Sequence, residues 1–285
     1  MTGNSDREVM SIHQDREVIK IREDERLDTS RLEPWLRDHL PEADGAFSLA
    51  QFGGGHANLT YLVRFGEAEY VLRRPPLGPV APSAHDMKRE HRVLKDLWKA
   101  FPLAPRSFAV CEDEEIIGAP FHVLERRNGI VVRRELPDDR DWPEDLLCRM
   151  GEMLIDTLAA LHSVDPEDAG LGDLGRPDGF IERQLSGWTK RWRAAVNEDN
   201  PVMDSVIDWL HGRIPESQRA TLLHNDFKLD NMLLDADDPA IPRAVLDWDM
   251  CTRGDPLSDL GYVLTFWGQA DDDPKWILGA SMPTW

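Results

Sequence analysis

The stretch HNDFKLDN, residues 224–231, lies between the apolar runs TLL and MLL, which predicts a structured loop between two strands. Asp226 and Asn231 stand five residues apart in this stretch, so a carboxylate and an amide can point into one cleft. A carboxylate in such a loop can accept a hydroxyl proton, while an uncharged amide oxygen can bind magnesium. We therefore predict Asp226 as a catalytic base and Asn231 as a magnesium ligand.

A second acidic motif, LDWD at residues 246–249, ends an apolar strand-like run. Hard carboxylate oxygens suit Mg²⁺, so we expect Asp247 to bridge the ion to a triphosphate, with Asp249 either as a further ligand or as a residue that supports the ligands without touching the ion. Asx turns and loop caps are the alternative for each acid taken alone. The two motifs in this order favour the metal site.

Other polar residues around the loop have less specific roles. Lys228 can contact the transferring phosphoryl group, and a surface position is the equal alternative. His224 is predicted to be a structural hydrogen-bonding residue rather than a catalytic one. Asp255 and Asp259 are predicted to tie a final helix, which begins near Asp255, to the loop.

Charge and composition exclude several classes of function. The 285 residues include 33 basic and 53 acidic ones, a formal net charge of −20 that disfavours nucleic acid and anionic membrane surfaces as partners. No run of about 18 apolar residues occurs and the first residues are highly charged, so we expect a cytoplasmic protein without a membrane segment. Cys111, Cys148 and Cys251 are scattered and indicate neither a disulfide framework nor a zinc site. The oligomeric state is not predicted.

The pattern along the chain predicts an α+β fold of two lobes with a cleft between them. Residues 1–28 are polar without a sustained apolar period and are predicted to be a flexible N-terminal arm. Residues 29–127 contain strand-like runs and form the predicted smaller, β-rich lobe. Residues 128–285 are mostly helical and form the predicted larger lobe, which we expect to be shortened at its C-terminus because the chain ends soon after the final predicted helix.

Local patterns in the smaller lobe predict two helices and one ion pair. Ser30 and Glu33 have the spacing of a capping box, which predicts a helix start at Ser30. A second helix is predicted over about 84–101, and Glu90 falls on its apolar stripe. A buried carboxylate needs a cationic partner, so Arg73 at the end of the run YVLRR is predicted to pair with Glu90. A solvated strand face is the alternative for Arg73.

A glycine run lies between the first two strand-like runs. Gly53, Gly54 and Gly55 allow the backbone to approach a ligand closely, and an ordinary hairpin loop is the alternative. Asn58 can reach bound phosphates or satisfy the loop's own backbone. The run is therefore a candidate phosphate cover rather than a specific signature.

The motifs HNDFKLDN, LDWD and GDPLSDLGY resemble those of the aminoglycoside phosphotransferase and choline kinase group of protein-kinase-like enzymes, over roughly residues 45–268. The resemblance implies that the chain uses ATP and Mg²⁺ and moves the γ-phosphoryl group to a hydroxyl of a small molecule. It implies that the glycine run covers the phosphates and that the backbone near Glu125 and Arg126 contacts the adenine. It also places Arg73 where the group commonly has a phosphate-binding lysine, which is a departure from the common pattern.

The acceptor is predicted only from resemblance. The stretches YVLRRPPLG and GGHANLTYLV most resemble the subgroup also found fused to acyl-CoA dehydrogenases, which implies a hydroxyacyl-CoA or hydroxy acid acceptor. The alternatives are an aminoglycoside-type antibiotic kinase and a nucleotide-binding module without transfer activity. A protein kinase is disfavoured because no Ala-Pro-Glu element follows LDWD. Trp188 and Trp192 can line an acceptor pocket, but helix packing is the favoured role.

Overall fold

The computed structural model describes residues 18–53, 58–78, 86–132 and 141–267. Its smaller lobe is built on a six-stranded antiparallel sheet with the strand order β1-β2-β3-β4-β6-β5. The strands are β1 (Val18–Ile19), β2 (Phe47–Phe52), β3 (Leu59–Phe65), β4 (Ala68–Arg74), β5 (Ser107–Cys111) and β6 (Phe121–Glu125). Strands β2 to β4 form the three-stranded meander that the apolar runs predict.

The start of the chain requires a correction to the predicted arm over 1–28. Residues 18–28 belong to the smaller lobe, because β1 pairs with β2 and the Tyr61 hydroxyl donates a hydrogen bond to the carbonyl of Glu25 at 2.7 Å. A two-residue strand is too short to show a period, which explains why the sequence pattern did not reveal it. The part of the predicted arm before residue 18 lies outside the described residues.

The first helix, α1 (Thr29–His39), begins one residue earlier than the start predicted from the capping box. Its N-cap is Asp28, whose carboxylate accepts the backbone N–H of Ser30 at 2.9 Å. The expected start at Ser30 is therefore wrong, since Ser30 already lies inside the helix. Buried Leu32 and Leu36 hold α1 against the sheet, as the apolar spacing predicts.

The second helix, α2 (Met87–Leu97), is shorter than the predicted span of 84–101. Asp86 caps it by accepting the N–H of Arg89 at 3.0 Å. One face of α2 is buried and contains a carboxylate, Glu90, among apolar side chains. The burial of this face places Glu90 beneath the sheet.

The larger lobe contains four helices and two small antiparallel sheets among the described residues. The helices are α3 (Glu144–His162), α4 (Phe180–Ala195), α5 (Pro201–His211) and α6 (Leu257–Leu264). The strands are β7 (Thr221–Leu223), β8 (Met232–Leu234), β9 (Pro242–Val245) and β10 (Thr252–Gly254), paired as β7 with β10 and β8 with β9. None of the described helices has the length and apolar character that crossing a membrane requires.

Helix α2 joins the core of the larger lobe rather than a core of its own. Val93 and Leu97 lie in one continuous cluster with Leu158 of α3, with Phe227 of the loop and with Trp248. A separate cluster fills the space between the other face of the sheet and α1. The loop between β7 and β8 is therefore supported from below by side chains of both lobes.

Gly129 stands at the join between the lobes, where two backbones come close together. The next residue, Ile130, exchanges backbone hydrogen bonds of 2.8 Å with Leu234 of β8. A β-carbon added at Gly129 would lie 2.5 Å from the carbonyl oxygen of Leu234. Only glycine fits this crossing without moving the backbone.

We predict that Gly129→Ala lowers the free energy of unfolding by about 1–3 kcal/mol, because the added methyl group overpacks the join. Gly187→Ala is the matched control in the middle of α4, where an added β-carbon would meet, among the described residues and apart from the backbone of its own helix, only the end of the Arg191 side chain at 3.8 Å. That change should raise stability by about 0.5–1 kcal/mol through helix propensity. Urea denaturation of both variants measures the two changes in the free energy of unfolding. Equal changes would contradict the close approach of the two backbones at Gly129.

Candidate active site

The loop between β7 and β8 is held in place by a buried histidine. The His224 Nε2 donates to the carbonyl of Leu246 at 2.9 Å, and its Nδ1 accepts the N–H of Asp226 at 3.3 Å. Burial lowers the pKa of His224, which keeps the ring neutral and suits this pair of contacts. His224 thus has the structural contacts that the sequence predicts for it.

Helix α6 anchors the same loop through one carboxylate. Asp259 is fully buried, and its two oxygens accept the backbone N–H groups of His224 at 2.8 Å and Asn225 at 2.7 Å. His162 of α3 approaches the same carboxylate at 3.1 Å. Asp255 accepts the N–H of Leu257 at 2.9 Å at the start of α6. The predicted tie between the final helix and the loop is present for Asp259, whereas the hydrogen bond of Asp255 stays at the start of the helix.

The Asp226 carboxylate lies at the centre of a hydrogen-bonded group. The Asn231 amide donates to its Oδ2 at 2.7 Å, and the Lys228 ammonium lies 3.1 Å from its Oδ1. The Tyr262 hydroxyl donates to the same Oδ1 at 2.5 Å. Burial raises the pKa of Tyr262, as does the bond to Asp226, so the phenol keeps its proton and acts as the donor. The structure brings the three predicted loop residues together and adds Tyr262.

No role for Tyr262 was predicted from the sequence, although the residue lies in the motif GDPLSDLGY. Tyr262 follows Asp259 by three residues on α6, so both side chains project from one side of the helix. Because Asp259 was already expected to face the loop, this spacing was the signal available for Tyr262.

A buried guanidinium connects the sheet, helix α2 and the LDWD motif. Arg73 donates from Nη1 to Glu90 at 2.5 Å and from Nη2 to Asp247 at 2.7 Å. The predicted pair of Arg73 with Glu90 is therefore present, and the contact with Asp247 is additional. Burial disfavours the charged guanidinium, but Glu90 and Asp247 outweigh that effect and raise the pKa of Arg73.

Glu90 is fully buried and ionised despite its surroundings. Burial alone raises its pKa, but the charge of Arg73, followed by His122 and the backbone N–H of Trp248, lowers the pKa to about 2. The ring of His122 lies 3.2 Å from one Glu90 oxygen, and the Trp248 N–H lies 3.3 Å from the other. Two hydrogen-bond donors and one nearby imidazole ring thus surround the carboxylate.

The LDWD segment, which follows β9, combines backbone strain with like charges. Asp247 has a φ of 67°, a left-handed conformation that is uncommon outside glycine. Burial raises the pKa of Asp249 to about 7, and the nearby negative charge of Asp247 is the next cause. Two carboxylates held close at a strained strand end are an arrangement that a cation would relieve.

The chemistry of these side chains fits a magnesium ion. The Asn231 nitrogen is fixed by Asp226, which leaves its oxygen for a metal, and the contact with Arg73 leaves Asp247 a second oxygen. Within the described ranges, no three His, Cys, Asp or Glu side chains group closely enough to hold a metal unaided. Mg²⁺ commonly takes one or two protein oxygens together with substrate phosphates and water, so a denser cluster is not required.

Two clefts meet at this loop. The first cleft is bordered by Arg73, Asn231 and Asp247 and has an apolar wall formed by Phe52, Val71, Leu94, Leu124, Leu233 and Leu246. The second cleft lies beside α4 and is lined by Asn225, Asp249, Tyr262, Trp188 and several arginines. Asp226 bonds residues that border both clefts, namely Asn231 in the first and Tyr262 in the second.

Glu125 and Arg126, predicted to contact an adenine through their backbone, both border the first cleft. The N–H of Glu125 donates to the carbonyl of Arg106 at 2.8 Å. The Arg126 guanidinium lies over the ring of Phe52, 4.8 Å from its centroid. A backbone donor for a base would therefore come from a residue after Glu125.

The glycine run is only partly described. Gly53 follows β2, whereas Gly54 and Gly55 lie outside the described residues. Asn58, on the far side of the run, is buried, and its amide oxygen and nitrogen have no hydrogen-bond partner within the described part of the chain. A buried amide of this kind calls for a partner from elsewhere.

The favoured packing role for Trp188 is wrong. Its side chain is 62% exposed and borders the second cleft, with the Arg191 guanidinium 4.0 Å from the ring centroid. Trp192 is half-buried and does not border that cleft. Four-residue spacing places two side chains on one helix face but does not say which of them the neighbouring elements cover.

Comparisons with known proteins agree with this architecture. Residues 48–279 match the sequence model of the phosphotransferase enzyme family. A crystal structure from Ralstonia eutropha JMP134, assigned as an aminoglycoside phosphotransferase, has a TM-score of 0.73 and 34% identity, covering 87% of this chain and 72% of that one. The aminoglycoside phosphotransferase APH(4)-Ia, in complex with ADP and hygromycin B, has a TM-score of 0.56 at 22% identity, over 83% and 76% of the two chains, and shares the fold. The predicted two-lobed kinase-like fold is confirmed.

Curated relatives are much longer than this chain. Acyl-CoA dehydrogenase family member 10 of Mus musculus is 37% identical over 234 residues, which cover 81% of this chain and 21% of the relative. Acyl-CoA dehydrogenase family member 11 of Gallus gallus is 36% identical over 249 residues, covering 85% and 31%. The chain thus spans less than a third of the length of these relatives.

We predict that Arg73→Ala lowers the free energy of unfolding by about 3–5 kcal/mol, because it leaves the buried Glu90 without its cation. Adding Glu90→Gln should recover part of that loss. Arg73→Lys should fall between wild type and Arg73→Ala, since one ammonium cannot reproduce the two directed contacts. Chemical denaturation of wild type, Arg73→Ala, Glu90→Gln and the double variant gives a double-mutant cycle, and zero coupling would show that the pair does not stabilise the fold.

The same pair predicts a dependence of stability on pH. The folded-state pKa of Glu90, about 2, lies below its ordinary value of 4.5, so its contribution is complete above pH 4.5 and is lost as the pH falls towards 2. The stability advantage of wild type over Glu90→Gln should therefore shrink across this acid range. Denaturation at pH 7, 4.5 and 3 measures it, and a constant difference would contradict the assigned pKa.

Proposed function

The chain belongs to the phosphotransferase enzyme family, and from this membership we propose that it transfers the γ-phosphoryl group of ATP to a hydroxyl of a small molecule. The observation that carries the proposal is the position of Asp226. Its carboxylate is bonded both to Asn231, beside the first cleft, and to Tyr262, beside the second. A base between two clefts can serve a reaction between a nucleotide in one and an acceptor in the other.

We assign the nucleotide to the first cleft. The apolar side chains of Val71, Leu124, Leu233 and Leu246 offer flat contacts for a purine, and the backbone at Arg126 is the proposed site of its hydrogen bonds. Asn58, with Gly53, Gly54 and Gly55, is proposed to contact the phosphates. The complex of APH(4)-Ia with ADP supports a nucleotide in this fold.

Arg73 is proposed to bind the α- or β-phosphate from the side facing the first cleft, while Glu90 holds its guanidinium in place. Asn231 and Asp247 are the proposed Mg²⁺ ligands, with Asp249 as a third. The ion, when bound, offsets the charge that develops between the phosphates. The protein's part is to fix these oxygens at the edge of the cleft before the nucleotide arrives.

The proposed reaction moves one phosphoryl group and one proton. The acceptor oxygen forms a bond to the γ-phosphorus as the bond from that phosphorus to the β-γ bridging oxygen breaks, and ADP leaves. Asp226 accepts the proton of the acceptor hydroxyl. Lys228, 3.1 Å from Asp226, is proposed to stabilise charge on the moving phosphoryl group.

For the acceptor we propose a hydroxyacyl-CoA or a hydroxy acid. The support is the similarity to acyl-CoA dehydrogenase family members 10 and 11, whose names refer to acyl-CoA chemistry. We further propose that residues 18–127 serve the nucleotide and that the residues from 128 onward carry the base and the acceptor site.

A nucleotide-binding module without transfer activity is the second candidate. It is favoured by one observation: Arg73, in place of the lysine common in similar enzymes, bonds an oxygen of Asp247, the proposed metal ligand. Acceptor-dependent release of ADP distinguishes the two candidate functions, because only an active phosphotransferase produces it.

We predict that Asp226→Asn abolishes acceptor-dependent ADP release while ATP affinity stays within about three-fold, because the base acts on the acceptor hydroxyl rather than on the nucleotide. Asp237→Asn, at an exposed turn between β8 and β9, is the matched control and should retain full activity. A coupled ADP assay and calorimetry measure the two quantities. Unchanged turnover in Asp226→Asn would remove Asp226 from the mechanism.

We predict that Asp247→Asn weakens ATP binding at least about ten-fold in the presence of Mg²⁺, a loss of about 1.4 kcal/mol, and has little effect without Mg²⁺. Asparagine tolerates the left-handed backbone at this position, so the fold should persist. Calorimetry with and without Mg²⁺ separates the metal-dependent part. The metal assignment fails if both titrations match those of wild type.

A further inference from the structure

The second cleft is strongly basic in a protein whose formal net charge is −20. Four arginines border it, and Asp249 is the one acidic side chain among the described residues that do so. The arginines are Arg89, Arg176, Arg183 and Arg191. Such a reversal of the overall charge at one concave site is evidence for the charge of what binds there.

None of these arginines is neutralised by an ion pair with a carboxylate in the described part of the chain. Arg89 donates to the carbonyl of Cys251 at 2.8 Å, and Arg183 donates to the carbonyls of Arg176 and Asp178. Neutral carbonyls orient a guanidinium without cancelling its charge. The positive field of the cleft therefore persists.

Arg176, Arg183 and Arg191 are the exposed members of the group, and the guanidinium of Arg183 is already bonded to the carbonyls of Arg176 and Asp178. The guanidinium of Arg191 lies over the ring of Trp188, 4.0 Å from the centroid, and this cation–π contact restrains it at the edge of the cleft. Guanidinium groups recognise carboxylate and phosphate oxygens in a bidentate way. The cleft thus offers fixed anion-binding groups rather than only a diffuse charge.

The same cleft reaches the proposed base. Asn225 and Tyr262 border it, and the Tyr262 hydroxyl is bonded to Asp226 at 2.5 Å. A ligand whose charged end contacts the arginines near α4 can therefore extend towards Asp226 with its other end.

We propose that the second cleft selects an acceptor with an anionic end, bound by Arg176 and Arg191 beside Trp188, and that a phosphate-bearing end suits it best. This inference rests on the proposed phosphotransferase function. Four guanidinium groups exceed what a single carboxylate needs, which favours phosphate oxygens. The same field repels a polycationic acceptor, so the arginines argue against an aminoglycoside.

The test measures binding without catalysis. Coenzyme A is titrated by calorimetry into protein saturated with a non-hydrolysable ATP analogue and Mg²⁺, which keeps the adenosine part of coenzyme A out of the first cleft. Pantetheine, which lacks the phosphates, and 3-hydroxybutyrate, which has only a carboxylate, are the comparison ligands. The proteins are wild type, the double variant Arg176→Ala with Arg191→Ala, and the control Arg193→Ala, which removes an exposed arginine of α4 that does not border the cleft.

We expect coenzyme A to bind wild type and the control equally, to bind the double variant at least about ten-fold more weakly, and to lose affinity with added salt. Pantetheine should bind weakly and alike to all three proteins. If 3-hydroxybutyrate binds as well as coenzyme A and loses the same affinity in the double variant, the recognised anion is a carboxylate. The proposal of an anionic acceptor then holds, with a carboxylate rather than a phosphate as its charged group.

Three results would overturn the proposal. The first is that neither anion binds wild type. The second is that the double variant binds both anions as tightly as wild type does, and the third is that an aminoglycoside binds wild type more tightly than either anion. The affinity for Mg²⁺-ATP, measured in the same three proteins, tests the proposed function separately. If wild type does not bind Mg²⁺-ATP, the assignment of the nucleotide site is wrong, while the anion titrations still report on the second cleft.

Discussion

One buried cation holds the centre of this fold together. Arg73 comes from the end of β4, Glu90 from the buried face of α2, and Asp247 from the segment just after β9, and the single guanidinium contacts both acids. The backbone N–H of Trp248 reaches the same Glu90, so α2 is fixed to the LDWD motif as well as to the sheet. Removing charges from water is expensive, and the arrangement is stable only because each partner is present. The first cleft owes its shape to this contact.

Local sequence patterns predicted much of the fold because its strands and helices have clear periods. Alternating apolar residues were sufficient to locate β2 to β4, and the apolar stripe was sufficient to locate α2. The position of Glu90 on that stripe predicted that its carboxylate is buried. The paired β1 escaped notice because two residues show no period. The helix cap at Asp28 was missed because Ser30 offered an equally good local pattern.

The candidate site was predictable where its residues share a motif, and less so where they meet only in space. Asp226, Lys228 and Asn231 are neighbours in one loop, and the structure brings them together. The contact of Arg73 with Asp247 joins positions 174 residues apart, and no local pattern carries it. Trp188 was misjudged for a related reason, since exposure depends on which elements cover a helix face. The arginines of the second cleft come from α2, α4 and the segment before α4, so their grouping also required the fold.

The bonds of Asp226 to one residue of each cleft have a thermodynamic consequence. Asn231 and Tyr262 hold the two oxygens of one carboxylate, so a ligand that shifts either residue changes the geometry that the other ligand meets. Linkage then requires reciprocity: if occupancy of the first cleft strengthens binding in the second by some factor, occupancy of the second strengthens binding in the first by the same factor. Order of addition can alter the kinetics of such a system, but the two coupling free energies must be equal.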